Sequence, residues 1–232
     1  MDSVIMIRKK HREMAKMRYE LVIFDLDGTL LNTLGDLADA TNAALREAGF
    51  PPRSEEEVRT FIGGGVARMI RRAVPAGTDE DTVETVLKGF KKYYLENVNV
   101  RTQPYPGIPA LLDAMGAAGI RAAVNSNKVD AASQLLCRAH FGDRLSMVLG
   151  EREGIPKKPA PDGAKYIMQT LGARPERTLY VGDGDADLLT AQNAGIDCAW
   201  VNWGYRRREE LTGLDIPLAF DSVEALRNFI LQ

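Results

Sequence analysis

The chain has 232 residues, 45% hydrophobic and 27% charged, an ordinary globular balance for one large domain or a domain carrying an insertion, and one that argues against extensive disorder. With 30 basic and 32 acidic side chains the net charge is −2, which excludes broad attraction to nucleic acid or another polyanion. Cys137 and Cys198 lack CxxC spacing, so no disulfide framework or zinc site is expected, and no apolar run approaches the roughly 20 residues of a membrane span; a cytoplasmic protein is expected.

Residues 1–18 form a basic N-terminal tail, with Arg8, Lys9, Lys10, Arg12, Lys16 and Arg18 among few apolar side chains, and read as a frayed terminus. Leu21 to Phe24 is a short continuous apolar run that stops at Asp25-Leu26-Asp27-Gly28, as a buried parallel strand entering a tight loop does. The rhythm then turns helical. Leu34, Leu37, Ala38, Thr41, Leu45 and Ala48 recur at helical spacing until Gly49, Pro51 and Pro52. Ser54 with Glu57 is a capping box for a second helix, and Val66 to Val74 and Asp79 to Glu96 read as two more. The remainder alternates. Strand runs at Arg121 to Val124, Thr178 to Val181 and Cys198 to Val201 are interleaved with helical patterns at Ile108 to Ala118, Val129 to Ala139, Gly163 to Leu171 and Ala186 to Ala194. Asp221 with Glu224 opens a last helix over Val223 to Leu231. The fold class is therefore α/β, a mostly parallel sheet of βαβ units with an all-helical insertion of about 65 residues.

In an open parallel sheet the loops at the carboxyl ends of strands line the ligand crevice, which singles out Asp25/Asp27, Ser126/Asn127, Lys158 and Asp183/Asp187. Asp25 and Asp27 are two apart on a turning backbone, where one carboxylate can attack as a nucleophile while the other protonates a departing alkoxide. Gly28 lets the backbone turn close to a phosphate, and Thr29 can tie the loop together. Asp183 and Asp187, brought near Asp25, make a trio whose mutual repulsion calls for a hard divalent cation, and magnesium suits an all-oxygen set. Ser126 and Asn127 can donate to phosphoryl oxygens, and Lys158, fixed in Pro156-Lys157-Lys158-Pro159-Ala160-Pro161, supplies a point charge, with Lys157 as its competitor.

Two other readings fail on spacing. Asp183-Gly-Asp185-Ala-Asp187 starts like a calcium loop, but Leu188 stands where glycine is needed and Ala194 where glutamate is needed. Gly63-Gly64-Gly65 is followed by Arg68 where a dinucleotide fingerprint wants glycine, and no strand precedes it.

In order, Asp25-Leu-Asp27-Gly28-Thr29-Leu30, Ser126-Asn127-Lys128, Lys158-Pro-Ala-Pro161 and Gly182-Asp183-Gly-Asp-Ala-Asp187 resemble the four motifs of the haloacid-dehalogenase-like phosphohydrolases. The resemblance runs from Tyr19 to the end. It implies a Rossmann-like core, residues 19–33 and 100–232, with a helical cap, residues 34–99, inserted after the first motif. It also implies that Asp25 is the nucleophile and a magnesium ligand, and that Asp27 is the general acid/base, its main-chain carbonyl also on the metal. Ser126 and Lys158 would hold the phosphoryl group, Asp183 would bind Mg²⁺, and Asp187 would steady the metal's shell through water. Gly184 stands where the motif usually has serine, and Asp185 is left unassigned.

Phe61-Ile-Gly63-Gly64-Gly65 and Tyr105-Pro106-Gly107 look like the phosphoglycolate phosphatase branch. There the backbone of Gly64 and Gly65 could approach a substrate carboxylate and Arg68 could pair with it, unless Arg68 belongs to a solvated face with Arg71 and Arg72. The expected function is a magnesium-dependent phosphatase acting through an aspartyl-phosphate at Asp25 on a small phosphorylated metabolite, with 2-phosphoglycolate as the candidate. A phosphomutase or an inorganic pyrophosphatase is the alternative within the family, and a non-catalytic binding or regulatory protein is the alternative outside it. No nucleic-acid or membrane partner is expected, and the chain is expected to act as a monomer or homodimer.

Overall fold

A computed structural model describes residues 18–232; the reading of the basic tail falls on residues 1–17 and lies outside the described residues. Arg18, the last residue of that expected tail, is held in place, because its guanidinium and the Tyr19 hydroxyl both reach Asp197, at 2.9 and 2.7 Å.

The sheet has six strands in the order β5-β4-β1-β6-β7-β8, all parallel. They are β1 (Leu21–Phe24), β4 (Arg121–Val129), β5 (Met147–Glu151), β6 (Thr178–Gly182), β7 (Asp197–Val201) and β8 (Ala219–Phe220). β1 is central because all four of its residues are apolar and can be covered on both faces; each is fully buried. Val22 and Phe24 face a layer containing α5 (Ile108–Ala118), α6 (Asp130–Phe141) and α9 (Val223–Ile230), whereas Leu21 and Ile23 face α7 (Asp162–Leu171) and α8 (Asp185–Ala194). Each such side chain contributes roughly 1.5–3 kcal/mol of burial, so four in a row anchor the strand firmly. This is a Rossmann-like arrangement of three layers.

Two short strands, β2 (Leu31–Asn32) and β3 (Gln103–Pro104), pair antiparallel and bring the outgoing and returning chain side by side. Between them run α1 (Leu34–Glu47), α2 (Glu55–Phe61), α3 (Val66–Ala73) and α4 (Glu80–Glu96). On α1 the expected stripe is buried at Leu37, Ala38, Thr41 and Leu45, against a matching stripe of Val83, Val86, Phe90 and Tyr94 on α4. The capping box at the start of α2 is formed: Ser54 Oγ accepts from Glu57 N at 3.2 Å and Glu57 accepts from Ser54 N at 2.8 Å.

The structure differs from the sequence reading of the elements at four places. β5 was unforeseen, an edge strand with only Leu149 and Gly150 buried. β8, β2 and β3 are two residues each, too short for a period to show. β4 continues past Val124 through the polar Asn125-Ser126-Asn127-Lys128 to Val129, which pairs with Glu151 after a register shift. α9 is capped by Ser222, which accepts from Ala225 N at 3.2 Å, whereas Asp221 accepts from Asn202. No helix of the described residues is long and apolar enough to cross a membrane.

Candidate active site

Asp25 and Asp183 are the first residues beyond two adjacent central strands, β1 and β6, so the sheet itself delivers both carboxylates to one crevice. The Asp25 N–H donates to Val181 O at 2.9 Å, extending the ladder by one bond before the chain turns. The turn folds back on Leu26, whose carbonyl takes the N–H groups of Leu30 and Leu31 at 3.1 and 3.0 Å. Gly28 sits at φ 89°, and a side chain there would come within 2.5 Å of Asp183 Oδ2, so only glycine lets the two loops touch. Gly182 plays the same part for Asp187, whose carboxyl group occupies the space a Cβ would need.

One oxygen from each of Asp25, Asp183 and Asp187 lies within 4.8 Å of the others, and all three residues are buried. Lys158 Nζ lies 2.7 Å from Asp25 Oδ1 and 2.7 Å from Asp187 Oδ1. Asp187 also accepts from Gly184 N at 3.0 Å, and Asp183 accepts from Tyr205 N at 2.6 Å. Burial pushes the Asp25 carboxyl well above the usual range; Lys158 opposes the shift, and the charges of Asp187 and Asp183 add to it. Burial, then Asp187, likewise raises Asp183 to about 7 against the Tyr205 N–H bond. Burial opposes the Lys158 ammonium, but Asp187 and Asp25 outweigh it and keep the group protonated. Three buried carboxylates with one ammonium between two of them form an oxygen-only set short of positive charge, which fits a bound Mg²⁺.

Asp27 is occupied elsewhere. Its Oδ1 accepts from Thr33 Oγ1 at 2.7 Å and its Oδ2 pairs with Lys128 Nζ at 2.9 Å. Burial works against the Lys128 charge, but Asp27 and Tyr94 overcome it and hold that ammonium above the ordinary lysine range. Thr33 N in turn donates to the Tyr205 hydroxyl at 2.7 Å. Ser126 Oγ accepts from Lys128 N at 3.2 Å, which leaves its hydroxyl proton for a ligand.

Asn127 lines the crevice and also holds the lysine's backbone at both ends: its amide donates to Lys158 O at 3.1 Å and accepts from Lys158 N at 2.9 Å. Lys157 pairs with Glu151 at 2.8 Å, and Lys158 is the lysine at the carboxylates. Gly65 lines the crevice, but Gly64 and Arg68 do not; Arg68 is exposed and its side chain lies across Gly64.

The crevice is lined from the core by Asp25, Asp27, Ser126, Asn127, Lys158, Asp183 and Asp187 and from the helical segment by Ile62, Gly63, Gly65, Val66 and Met69, among others. Lys128, Asp185, Tyr205 and Arg206 also line it, with roles the sequence reading did not assign. Arg206 donates to the carbonyls of Thr60 and Ile62, and Arg59 donates to the carbonyl of Tyr205. Nothing local in sequence marks Tyr205 or Arg206, because their partners lie from about 20 to more than 140 residues away.

Fold and site together define an α/β protein with buried carboxylates gathered in one crevice at its strand ends. Residues 22–201 match the model of the haloacid dehalogenase-like hydrolases. The phosphoglycolate phosphatase of Aquifex aeolicus is 33% identical over 214 residues, 91% of this chain and 99% of that protein. The N-acetylmuramic acid 6-phosphate phosphatase of Pseudomonas aeruginosa is 34% identical over 198 residues, 85% of this chain and 88% of that one. A solved structure from Lactobacillus delbrueckii subsp. bulgaricus, provisionally described as a phosphoglycolate phosphatase, superposes with a TM-score of 0.87 at 32% identity, covering 92% and 99% of the two chains. The chain belongs to the haloacid dehalogenase-like hydrolase family. Within it, the chain falls in the phosphoglycolate phosphatase-like branch, as a phosphoric monoester hydrolase.

Proposed function

We propose that the chain is a magnesium-dependent phosphatase that hydrolyses a small phosphate monoester, with 2-phosphoglycolate as the candidate substrate, through an aspartyl-phosphate on Asp25. The observation that carries this reading is the convergence of Asp25, Asp183, Asp187 and Lys158 at the ends of β1 and β6. An Asp25 carboxylate oxygen attacks phosphorus, the ester P–O bond breaks, and the Asp27 carboxyl proton goes to the leaving oxygen. Asp27 then takes a proton from water, whose oxygen attacks the phosphorus and returns Asp25 as a carboxylate. Lys158 and the Ser126 hydroxyl hold the phosphoryl oxygens, and Asn127 keeps Lys158 in place. Magnesium, held by the Asp25 and Asp183 carboxylates and the Asp27 carbonyl, with Asp187 steadying its shell, would supply the charge that phosphate and carboxylates lack.

Residues 34–99 are proposed as a cap that closes over the core of residues 19–33 and 100–232 and excludes water. Two observations support 2-phosphoglycolate: the names of several relatives, and Arg206 in the crevice lining as a cation for a substrate carboxylate. A phosphorylated sugar is the second reading, favoured by the relative named for N-acetylmuramic acid 6-phosphate.

The test is phosphate release from 2-phosphoglycolate, N-acetylmuramic acid 6-phosphate, hexose phosphates, nucleotides and pyrophosphate, with and without Mg²⁺. Turnover that needs Mg²⁺ and disappears in Asp25→Asn is expected. Full activity in that variant would refute the covalent route, and no metal-dependent release from any substrate would favour a non-catalytic role.

A further inference from the structure

Lys128 is 4% exposed, and its ammonium sits between a carboxylate and an aromatic face: Asp27 Oδ2 at 2.9 Å and the Tyr94 ring centroid at 4.9 Å. The two partners come from different parts of the chain. Asp27 follows β1, whereas Tyr94 lies on α4, in the helical segment, and is not among the residues lining the crevice. Tyr94 is itself fixed, buried at 5% exposure and stacked on Phe90 with centroids 5.3 Å apart. A lysine this deeply buried needs its charge answered, and a desolvated carboxylate and ring face both answer it. Such a pair adds little stability over apolar packing of the same volume, so its effect is to be sought in the orientation it imposes.

We propose that Lys128 is a positioning residue for proton transfer: with Thr33 it holds both oxygens of Asp27 in one orientation, and Tyr94 holds Lys128, so that α4 helps to place the acid without touching substrate. This rests on the reading of Asp27 as the general acid/base. Neither oxygen of Asp27 is left to wander, since Thr33 Oγ1 is 2.7 Å from Oδ1 and Lys128 is on Oδ2. When the Asp25–phosphorus bond forms and the ester bond breaks, the proton on Asp27 must already lie along the path of the departing oxygen. An alkoxide cannot leave without that proton. A nitrophenolate can.

The experiment uses the full chain with Mg²⁺ and two esters of similar shape, benzyl phosphate and p-nitrophenyl phosphate, read as kcat/KM, which covers events up to transfer onto Asp25. Lys128→Met is expected to lose about 100-fold on benzyl phosphate, the lower range of what a positioned acid contributes, and less than about 5-fold on p-nitrophenyl phosphate. Tyr94→Leu is expected to show the same selectivity at about 10-fold, and to add nothing in the Lys128→Met background. Tyr94→Phe, which keeps the ring, retains the wild-type ratio between the esters. If Lys128→Met fails to fold, Tyr94→Leu carries the test alone. Equal losses on both esters in Lys128→Met or Tyr94→Leu would overturn the proposal. Asp27→Asn separates the two levels of the argument: selectivity there with none in Lys128→Met sinks the positioning role alone, and no selectivity in Asp27→Asn sinks the acid/base reading with it.

Discussion

The guanidinium of Arg59 and the carboxylate of Glu210 meet at two points, 3.1 and 3.2 Å, and join α2 to the loop after β7. That loop also reaches the carboxylate cluster. The Tyr205 carbonyl accepts from Arg59 while the Tyr205 N–H donates to Asp183 at 2.6 Å, so one peptide segment answers to the helical segment on one side and to Asp183 on the other. A shift of α2 is therefore felt at Asp183 through one residue.

Glu210→Gln tests the strength of this seam. Hydrogen bonds from Arg59 hold the Glu210 carboxyl down at about 2 against partial burial. The ordinary glutamate value is about 4.3, so the pair stabilises the fold fully above that pH and is lost as pH falls towards about 2. The carboxylate is 33% exposed, which keeps the contribution near that of a surface pair, about 1 kcal/mol or less. At pH 7 the variant should melt about 2–4 °C below the wild type. The two melting curves should converge as pH drops from about 4 to 2, and a constant gap would contradict the ion-pair account.

Asp36 is the second seam. Buried near the start of α1, it accepts from the N–H groups of Val100, Arg101 and Thr102 at 3.2, 2.8 and 3.0 Å and from Thr102 Oγ1 at 2.6 Å. One carboxylate thus closes the returning chain onto the outgoing one. Asp36→Ala leaves the buried Thr102 N–H without its partner and the Thr102 hydroxyl with only the 3.5 Å bond to Val98 O, and should cost about 3 kcal/mol in urea unfolding, whereas Asp36→Asn, which keeps one acceptor oxygen, should cost about 1 kcal/mol. Equal losses would mean that the bonds are not what holds the junction.

What was legible in the sequence follows from how local each cause is. Leu21–Phe24 announces a central strand because full burial on both faces requires an unbroken apolar run, and Ser54 with Glu57 announces a helix start because both partners lie within one turn. Asp25 and Asp183 were legible because position at a strand end is itself local. Asn125 to Val129 was not. Its polar residues read as a loop, yet Lys128 is buried there because Asp27 and Tyr94 answer its charge from 101 and 34 residues away. The hold of Asn127 on Lys158 was hidden for the same reason, since its partner lies 31 residues on.

A double variant separates a role of Asn127 through Lys158 from a direct role on the phosphoryl group. If Asn127 acts by holding Lys158, Asn127→Ala should lower kcat about 10- to 100-fold, Lys158→Met about 100- to 1,000-fold, and the pair no more than Lys158→Met alone. If the Asn127 side chain instead touches the phosphoryl group, the two losses should multiply. The kinetics of the double variant on whichever ester the wild type hydrolyses decide between them.

The last prediction concerns the metal. Magnesium binding to the folded chain alone should stabilise it by about 2.7 kcal/mol at about 100 times the dissociation constant. For a chain of this length that is a rise in Tm of about 5–10 °C. The rise should depend on pH, because protons compete for the same oxygens. Burial and Asp187 hold the Asp183 carboxyl at about 7, against about 3.9 for a free aspartate. In the metal-free protein, between about pH 4 and 7, the folded chain keeps a proton that the unfolded chain has released. Stability therefore falls as pH rises through that window and levels off above it. At pH 8 Asp183 has lost its proton and the cluster is at its least stable without a cation, so the Mg²⁺-induced shift in Tm should be largest there and shrink below pH 7. Asp183→Asn should abolish most of the shift while raising the Tm of the metal-free protein at pH 8, since it removes the Asp183 charge from the buried cluster. A metal-independent melting curve in the wild type at pH 8 would leave Asp25, Asp183 and Asp187 as a proton-sharing cluster with no place for Mg²⁺.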